Sequence, residues 1–236
     1  LKDDRELVMN AVLKNGMALQ YASDRLKDDK GLVMIAINND GYTLEYVSDR
    51  LKDDMDVVMT AITSRGITLQ YTSSRLNDDK NVAIAAVTNI GISLRHVSDR
   101  LKDDNEVVMA AVTESGHSIK YANIRLKDDK EVVMAAVATN GRALQYASDR
   151  LKDDEEVVVA AVTTYGDPLK YASPRLRNDK YFILAFAINC IIFRRFRWPI
   201  LVRNLLKFHR QDTEYARQFE PETFALSVDD NFMESE

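Results

Sequence analysis

An aspartate and an arginine return along this chain at a fixed interval, and each could do chemistry. Asp29, Asp54, Asp79, Asp104, Asp129 and Asp154 stand 25 residues apart, as do Arg25, Arg50, Arg75, Arg100, Arg125 and Arg150. A row of carboxylates could hold Ca²⁺ or Mg²⁺. A row of guanidiniums could bind phosphates or an acidic peptide, because the planar fork matches either one. Hard-cation sites, however, draw several oxygen ligands from one short loop, and these acids return only once per 25 residues. An aspartate just before a helix has another task, accepting an orphan N–H of the first turn at the positive end of the dipole. Each arginine also lies a few residues before two aspartates, which offers it a local carboxylate. The two columns therefore read as a structural ladder of helix caps and ion pairs.

A third column is aromatic: Tyr21, Tyr46, Tyr71, Tyr121, Tyr146 and Tyr171, with His96 in place of a tyrosine. Such a row could stack on nucleic-acid bases, but a half-buried aromatic packing over the next repeat is the more ordinary use. The net charge of −5 also argues against a nucleic-acid partner, which calls for a basic footprint. His96, His117, His209 and Cys190 are scattered, so they form no metal or nucleophile constellation. No glycine-rich phosphate loop is written either. The expectation is a chain with no catalytic residue, no cofactor and no metal, hence not an enzyme.

Those columns are positioned by repeats. Units begin at Leu1, Leu26, Leu51, Leu76, Leu101, Leu126 and Leu151, with a degenerate eighth at Leu176. In the sixth, Asp128 and Glu131 predict a capping box. The helix "DKEVVMAAVATN" runs to Gly141, which suits a left-handed position closing it. A shorter helix "ALQYASDRL" follows, with Leu144, Ala147 and Leu151 on one face. The long helix is apolar nearly all round (Val132, Val133, Met134, Ala136, Val137), which predicts burial between neighbours. Alanine at the eleventh position of the seven complete units, replaced by Phe186 in the eighth, leaves room for close helix approach. No unit can bury its own face, so the fold expected is all-α, an α-solenoid of stacked two-helix 25-residue repeats over 1–175.

The pattern "L-K-D-D-x-E-V-V-M-A-A-V-x-x-N-G-x-A-L-Q-Y-A-S-D-R" resembles an uncharacterised repeat family, a domain of unknown function. That family is found in protist, algal and large-virus proteins and in effectors of the Legionella kind. The resemblance spans about residues 1 to 180. It implies a helical repeat scaffold and carries no established catalytic residue.

What varies between repeats points to recognition. The positions flanking each glycine, at the tip between the helices, change charge, polarity and size while the core columns hold. Tyr42, Ile67, Ile90, Ile92, His117, Arg142 and Tyr165 are the candidate partner-binding edge. The expected function is a non-catalytic scaffold that binds another protein.

The eighth unit departs from the pattern. Residues 181–193 are apolar but shorter than the roughly 20 residues a membrane span requires. Between Arg194 and Arg210 there are six Lys/Arg and no acid. Residues 176–210 read as a cap on the stack or, alternatively, as a basic amphipathic segment holding the chain at a membrane surface through 181–210. Residues 211–236 read as a polar, acidic, flexible tail. The lone Cys190 fits a reducing compartment such as the cytoplasm. The resemblance to effectors implies the cytosol of a host cell as well, and the alternative reading a membrane-peripheral place. Leu1 falls on the first position of a repeat without an initiator methionine, so the chain reads as a fragment.

Overall fold

The computed structural model of the chain describes residues 1–164 and 168–183. It divides into two compact units, Leu1–Ser173 and Pro174–Glu236. The first unit is an all-α repeat solenoid.

Each repeat opens with a long α-helix, such as Lys30–Asn39, Met55–Ser64, Lys80–Asn89, Asn105–Glu114 and Lys130–Thr139. The cap is the fourth-position aspartate. Asp129 Oδ1 accepts from the backbone N–H of Glu131 at 2.9 Å and of Val132 at 3.2 Å, satisfying two orphan donors. The capping box expected from Asp128 is thereby displaced by one residue: Asp128 closes the preceding short helix instead.

The glycines also do something other than expected. The long helix ends on an extended residue (Asn140, φ −150, ψ 104), so no left-handed residue is needed to turn the chain. Gly141 instead starts a 3₁₀-helix, Gly141–Tyr146, as Gly41, Gly66, Gly91 and Gly116 do in their repeats. What each glycine supplies is space. A Cβ on Gly41 would lie 2.9 Å from the carbonyl oxygen of Ala61 in the next repeat. On Gly16, Gly66, Gly91, Gly116 and Gly141 it would lie closer still to the corresponding alanine carbonyl.

The expected second helix is broken in two. After the 3₁₀-helix, Ala147 is extended and Ser148 caps a single turn, Asp149–Lys152, its hydroxyl accepting from Leu151 N–H at 3.3 Å. A serine side chain that satisfies the backbone locally competes with helix continuation. Where the fourth repeat meets the fifth the single turn is a 3₁₀ segment, Leu101–Asp103.

Consecutive long helices pack side by side in one layer and consecutive 3₁₀-helices in another. Between the layers lies the core. Val132, Val133, Ala136, Val137 and Leu144 of the sixth repeat and Leu151, which opens the seventh, are all fully buried. The alanine column is buried from Ala36 to Ala161, and its carbonyls lie against the glycines of the preceding repeat. Burying one valine or leucine contributes about 1.5–3 kcal/mol, and every repeat takes its share from its neighbours. The long helix is not buried all round, however: Met134 and Ala135 face outward and are only half-buried.

In the second unit, Pro174–Asn178 forms a helix and Asp179 then caps the next one, accepting from Tyr181 N–H at 2.9 Å and Phe182 N–H at 3.0 Å. The eighth repeat thus begins like the others. The cap and membrane-surface readings for 176–210, and the tail 211–236, fall on residues that from 184 onward lie outside the described ones.

Candidate functional site

The expected ladder is present as two ladders, and its two columns do not pair with each other. Each Arg reaches back to the third-position Asp of its own repeat. Arg50 Nε donates to Asp28 Oδ1 at 3.0 Å and Arg50 Nη2 to the Asp28 carbonyl at 2.8 Å. Arg25–Asp3, Arg75–Asp53, Arg100–Asp78, Arg125–Asp103 and Arg150–Asp128 repeat the pair. Helical side chains lean toward the N-terminus of their helix, which carries each arginine away from the aspartates that follow it.

A serine completes the rung and was not picked out from the sequence, although it recurs at the twenty-third position. Ser48 Oγ donates to Asp28 Oδ1, and Ser73, Ser98 and Ser148 do the same to Asp53, Asp78 and Asp128. The Ser48 main-chain N–H also bonds the Lys27 carbonyl at 3.1 Å, joining the end of the repeat to its beginning. The serine hydroxyl first, and the arginine second, hold the carboxyls of Asp28, Asp53, Asp78 and Asp128 below the ordinary carboxylate value. Where Asn123 replaces serine, its side chain instead accepts from Arg125 N–H at 3.0 Å.

The fourth-position aspartates serve a second ladder. Lys30 Nζ lies 2.8 Å from Asp54 and 2.9 Å from Asp56 of the following repeat. Lys80 sits 2.9 Å from Asp104 and 2.8 Å from Glu106, and Lys130 is 2.8 Å from both Asp154 and Glu156. Arg5 pairs with Asp29 at 2.8 Å. Asp54 first raises the Lys30 ammonium above its usual value, then Asp56. Met55 and Asn105 occupy the cation's position in the alternate repeats. Among the described residues, Asp79 and Asp129 accordingly act as caps with no ion pair.

The tip residues divide by exposure. Ile92, at 36%, and Arg142 are exposed. Tyr42, Ile67, Ile90 and His117 are half-buried, and Tyr165 lies outside the described residues. Half-burial has visible partners. The Arg65 guanidinium covers the Tyr42 ring at 4.9 Å and approaches Asp40 at 3.7 Å. His117 meets Tyr146 edge-on at 5.3 Å. Position fifteen is partly structural, since Asn15, Asp40 and Asn140 each cap the 3₁₀-helix that follows. Arg65, Ile90 and Ser115 provide no such cap.

The aromatic column lies in the same layer. Tyr71 is pushed up by burial first and by the nearby Glu45 carboxylate second, with Tyr42 and Tyr46 near enough to contribute. A shallow cavity of about 400 Å³ opens beside it, lined by Asp49, Lys52, Gln70, Tyr71, Thr72 and Ser73. His96 is half-buried and pushed down by burial first and Arg95 second.

Compared with known protein families, the chain matches a domain of unknown function, DUF4116, at residues 4–52, 29–77, 54–102, 79–127 and 129–177. The chain belongs to the DUF4116 family. Each DUF4116 match spans two 25-residue repeats, and two features of the structure share that longer period. The lysine clamps fall at Lys30, Lys80 and Lys130. Asn39 and Asn89 accept from the glycine N–H of the preceding repeat at 3.0 and 2.8 Å and donate to a Leu13 or Thr63 carbonyl there. No curated protein and no solved structure matches the chain. Among the described residues, no group of three His, Cys, Asp or Glu could hold a metal ion, and no helix is long and apolar enough to cross a membrane.

Proposed function

We propose that this DUF4116 chain is a non-catalytic repeat scaffold that binds another protein through the outer side of its 3₁₀ layer, tip residues included. The observation that carries the reading is the seventeenth position. It changes from Tyr42 to Ile67, Ile92, His117 and Arg142, while in the same repeats the neighbouring eighteenth and nineteenth positions stay buried, from Thr43 and Leu44 to Ala143 and Leu144. A stack needs those buried columns to be uniform, and it needs nothing in particular of a side chain pointing outward. Tyrosine and arginine are the residues that anchor protein interfaces most often, and the Tyr42–Arg65 stack presents both on one edge.

The test is a three-residue variant of the full chain, Tyr42→Ser, Ile67→Ser and Ile92→Ser. Proximity labelling with the full chain identifies a partner, which is then purified and titrated against wild type and variant. The reading expects binding to fall at least tenfold while the circular dichroism spectrum is kept. Undiminished binding by the folded variant would remove the tip edge as the site.

A further inference from the structure

Positions six, nine, ten and thirteen of the long helix lie at i, i+3, i+4 and i+7, so they form one face. This face points away from the core. Its middle carries Met34, Met59, Ile84, Met109 and Met134, each half-buried, with Ala85, Ala110 and Ala135 beside them. Because consecutive long helices pack side by side, these residues make a continuous apolar stripe across at least five repeats. Methionine is flexible and polarisable, and surfaces rich in it accommodate partner helices.

The two borders of the stripe differ. Position thirteen is uncharged (Thr63, Thr88, Thr113, Ala138). Position six is acidic at Asp56, Glu106, Glu131 and Glu156, all exposed, and is interrupted by Gly31 and Asn81, so the charge gathers toward the C-terminal half of the stripe. The clamps do not neutralise this border, since Lys30, Lys80 and Lys130 each face two carboxylates and leave one in excess. Asp56, Glu106 and Glu156 keep 78%, 68% and 69% of their side-chain surface in solvent.

We propose that this outer face docks a basic amphipathic helix of a partner protein, laid along the stack with its apolar side on the methionines and its Lys/Arg flank on the acidic border. The proposal rests on the scaffold reading above but assigns it a different surface and a partner chemistry. The spacing fits: stacked helix axes stand about 8–10 Å apart, and seven residues of a helix rise about 10.5 Å. An apolar heptad on the partner therefore meets one methionine position after another. Charge selects the partner's sign, because an acidic helix would set like charges against Asp56, Glu106, Glu131 and Glu156.

The probe is a fluorescent synthetic helix of about 28 residues, four heptads long, with leucine on one side and lysine on one flank. Its control carries glutamate in place of lysine. Titrated with the full chain, the basic peptide is expected to bind at least tenfold tighter than the acidic one and to weaken several-fold as salt is raised. Met59→Gln with Met109→Gln should cost at least tenfold, and Glu106→Gln with Glu131→Gln should narrow the gap between the peptides. If the glutamine pair fails to fold, Met59→Ala with Met109→Ala serves instead. Equal binding of both peptides, no binding, or indifference to the methionine changes overturns the proposal.

Two further outcomes overturn the choice of occupant. Binding that emerges only after Arg194, Arg195 and Arg197 are changed to Glu would place the chain's own basic segment on the stripe. A dimer that the methionine variant dissociates in light scattering would place a second copy there. The tip variant, run in parallel, separates the two readings. Loss of peptide binding there alone sinks the stripe and keeps the tip edge, whereas loss through the methionines alone leaves the tip edge to its own titration.

Discussion

At the scale of single residues, the glycines and the Ser–Asp–Arg rungs show why a residue recurs. Glycine at position sixteen is kept by a neighbour's carbonyl oxygen and not by an unusual backbone. Contact makes a definite prediction for alanine. A helical glycine with an ordinary backbone and room for a Cβ gains about 0.4–1 kcal/mol on change to alanine. A glycine held by close contact loses about 1–3 kcal/mol on overpacking. Gly116→Ala, which faces the Ala136 carbonyl, should lower the melting temperature, whereas Gly31→Ala, whose Cβ meets only side-chain atoms, should raise it. The rungs predict a pH effect. Asp28 and Asp78 carboxyls lie below their unfolded value of 3.8, so they bind fewer protons folded than unfolded. Their contribution is complete above that value and is lost as pH falls through the lower folded ones. Ser48→Ala with Ser98→Ala should move both carboxyl titrations upward by NMR and shift acid unfolding to higher pH.

At the scale of the element, the long helix has three distinct exposures that one apolar composition hides. Its Ala column is a seam: Ala111 is fully buried, so Ala111→Phe should cost about 1–3 kcal/mol or more, while Thr113→Phe on the same helix is exposed and should cost far less. Equal drops in melting temperature would mean that the seam lies elsewhere. Glu114 is no neutral control, because its carboxylate accepts the Gly91 N–H. The helix starts differ too. Asn105 stands where Lys30, Lys80 and Lys130 clamp the next repeat. Asn105→Lys should therefore pair with Asp129 and Glu131, giving a small rise in melting temperature that high salt removes.

At the scale of the molecule, stability belongs to interfaces and not to repeats. Leu7 is 47% exposed, while its counterparts Leu32, Val57 and Val82 are buried under the repeat before them. A copy of residues 126–150 placed directly before Leu1 should bury Leu7 and raise the melting temperature by one added interface. An unchanged melting temperature would mean that repeats do not stabilise their neighbours. Period and apolar columns determined the all-α stack from the sequence alone, because a 25-residue unit with two apolar faces has no other place to bury them. The fourth-position caps were legible for the same local reason. Three things were decided only in three dimensions. The arginines chose the aspartate 22 residues back over the near ones, because side-chain direction on a helix decides reach and sequence distance does not. The glycines were fixed by a carbonyl one repeat away. The methionines, written like core residues, were left half in solvent, since burial depends on which face of a helix a neighbour covers, and the stack covers only one.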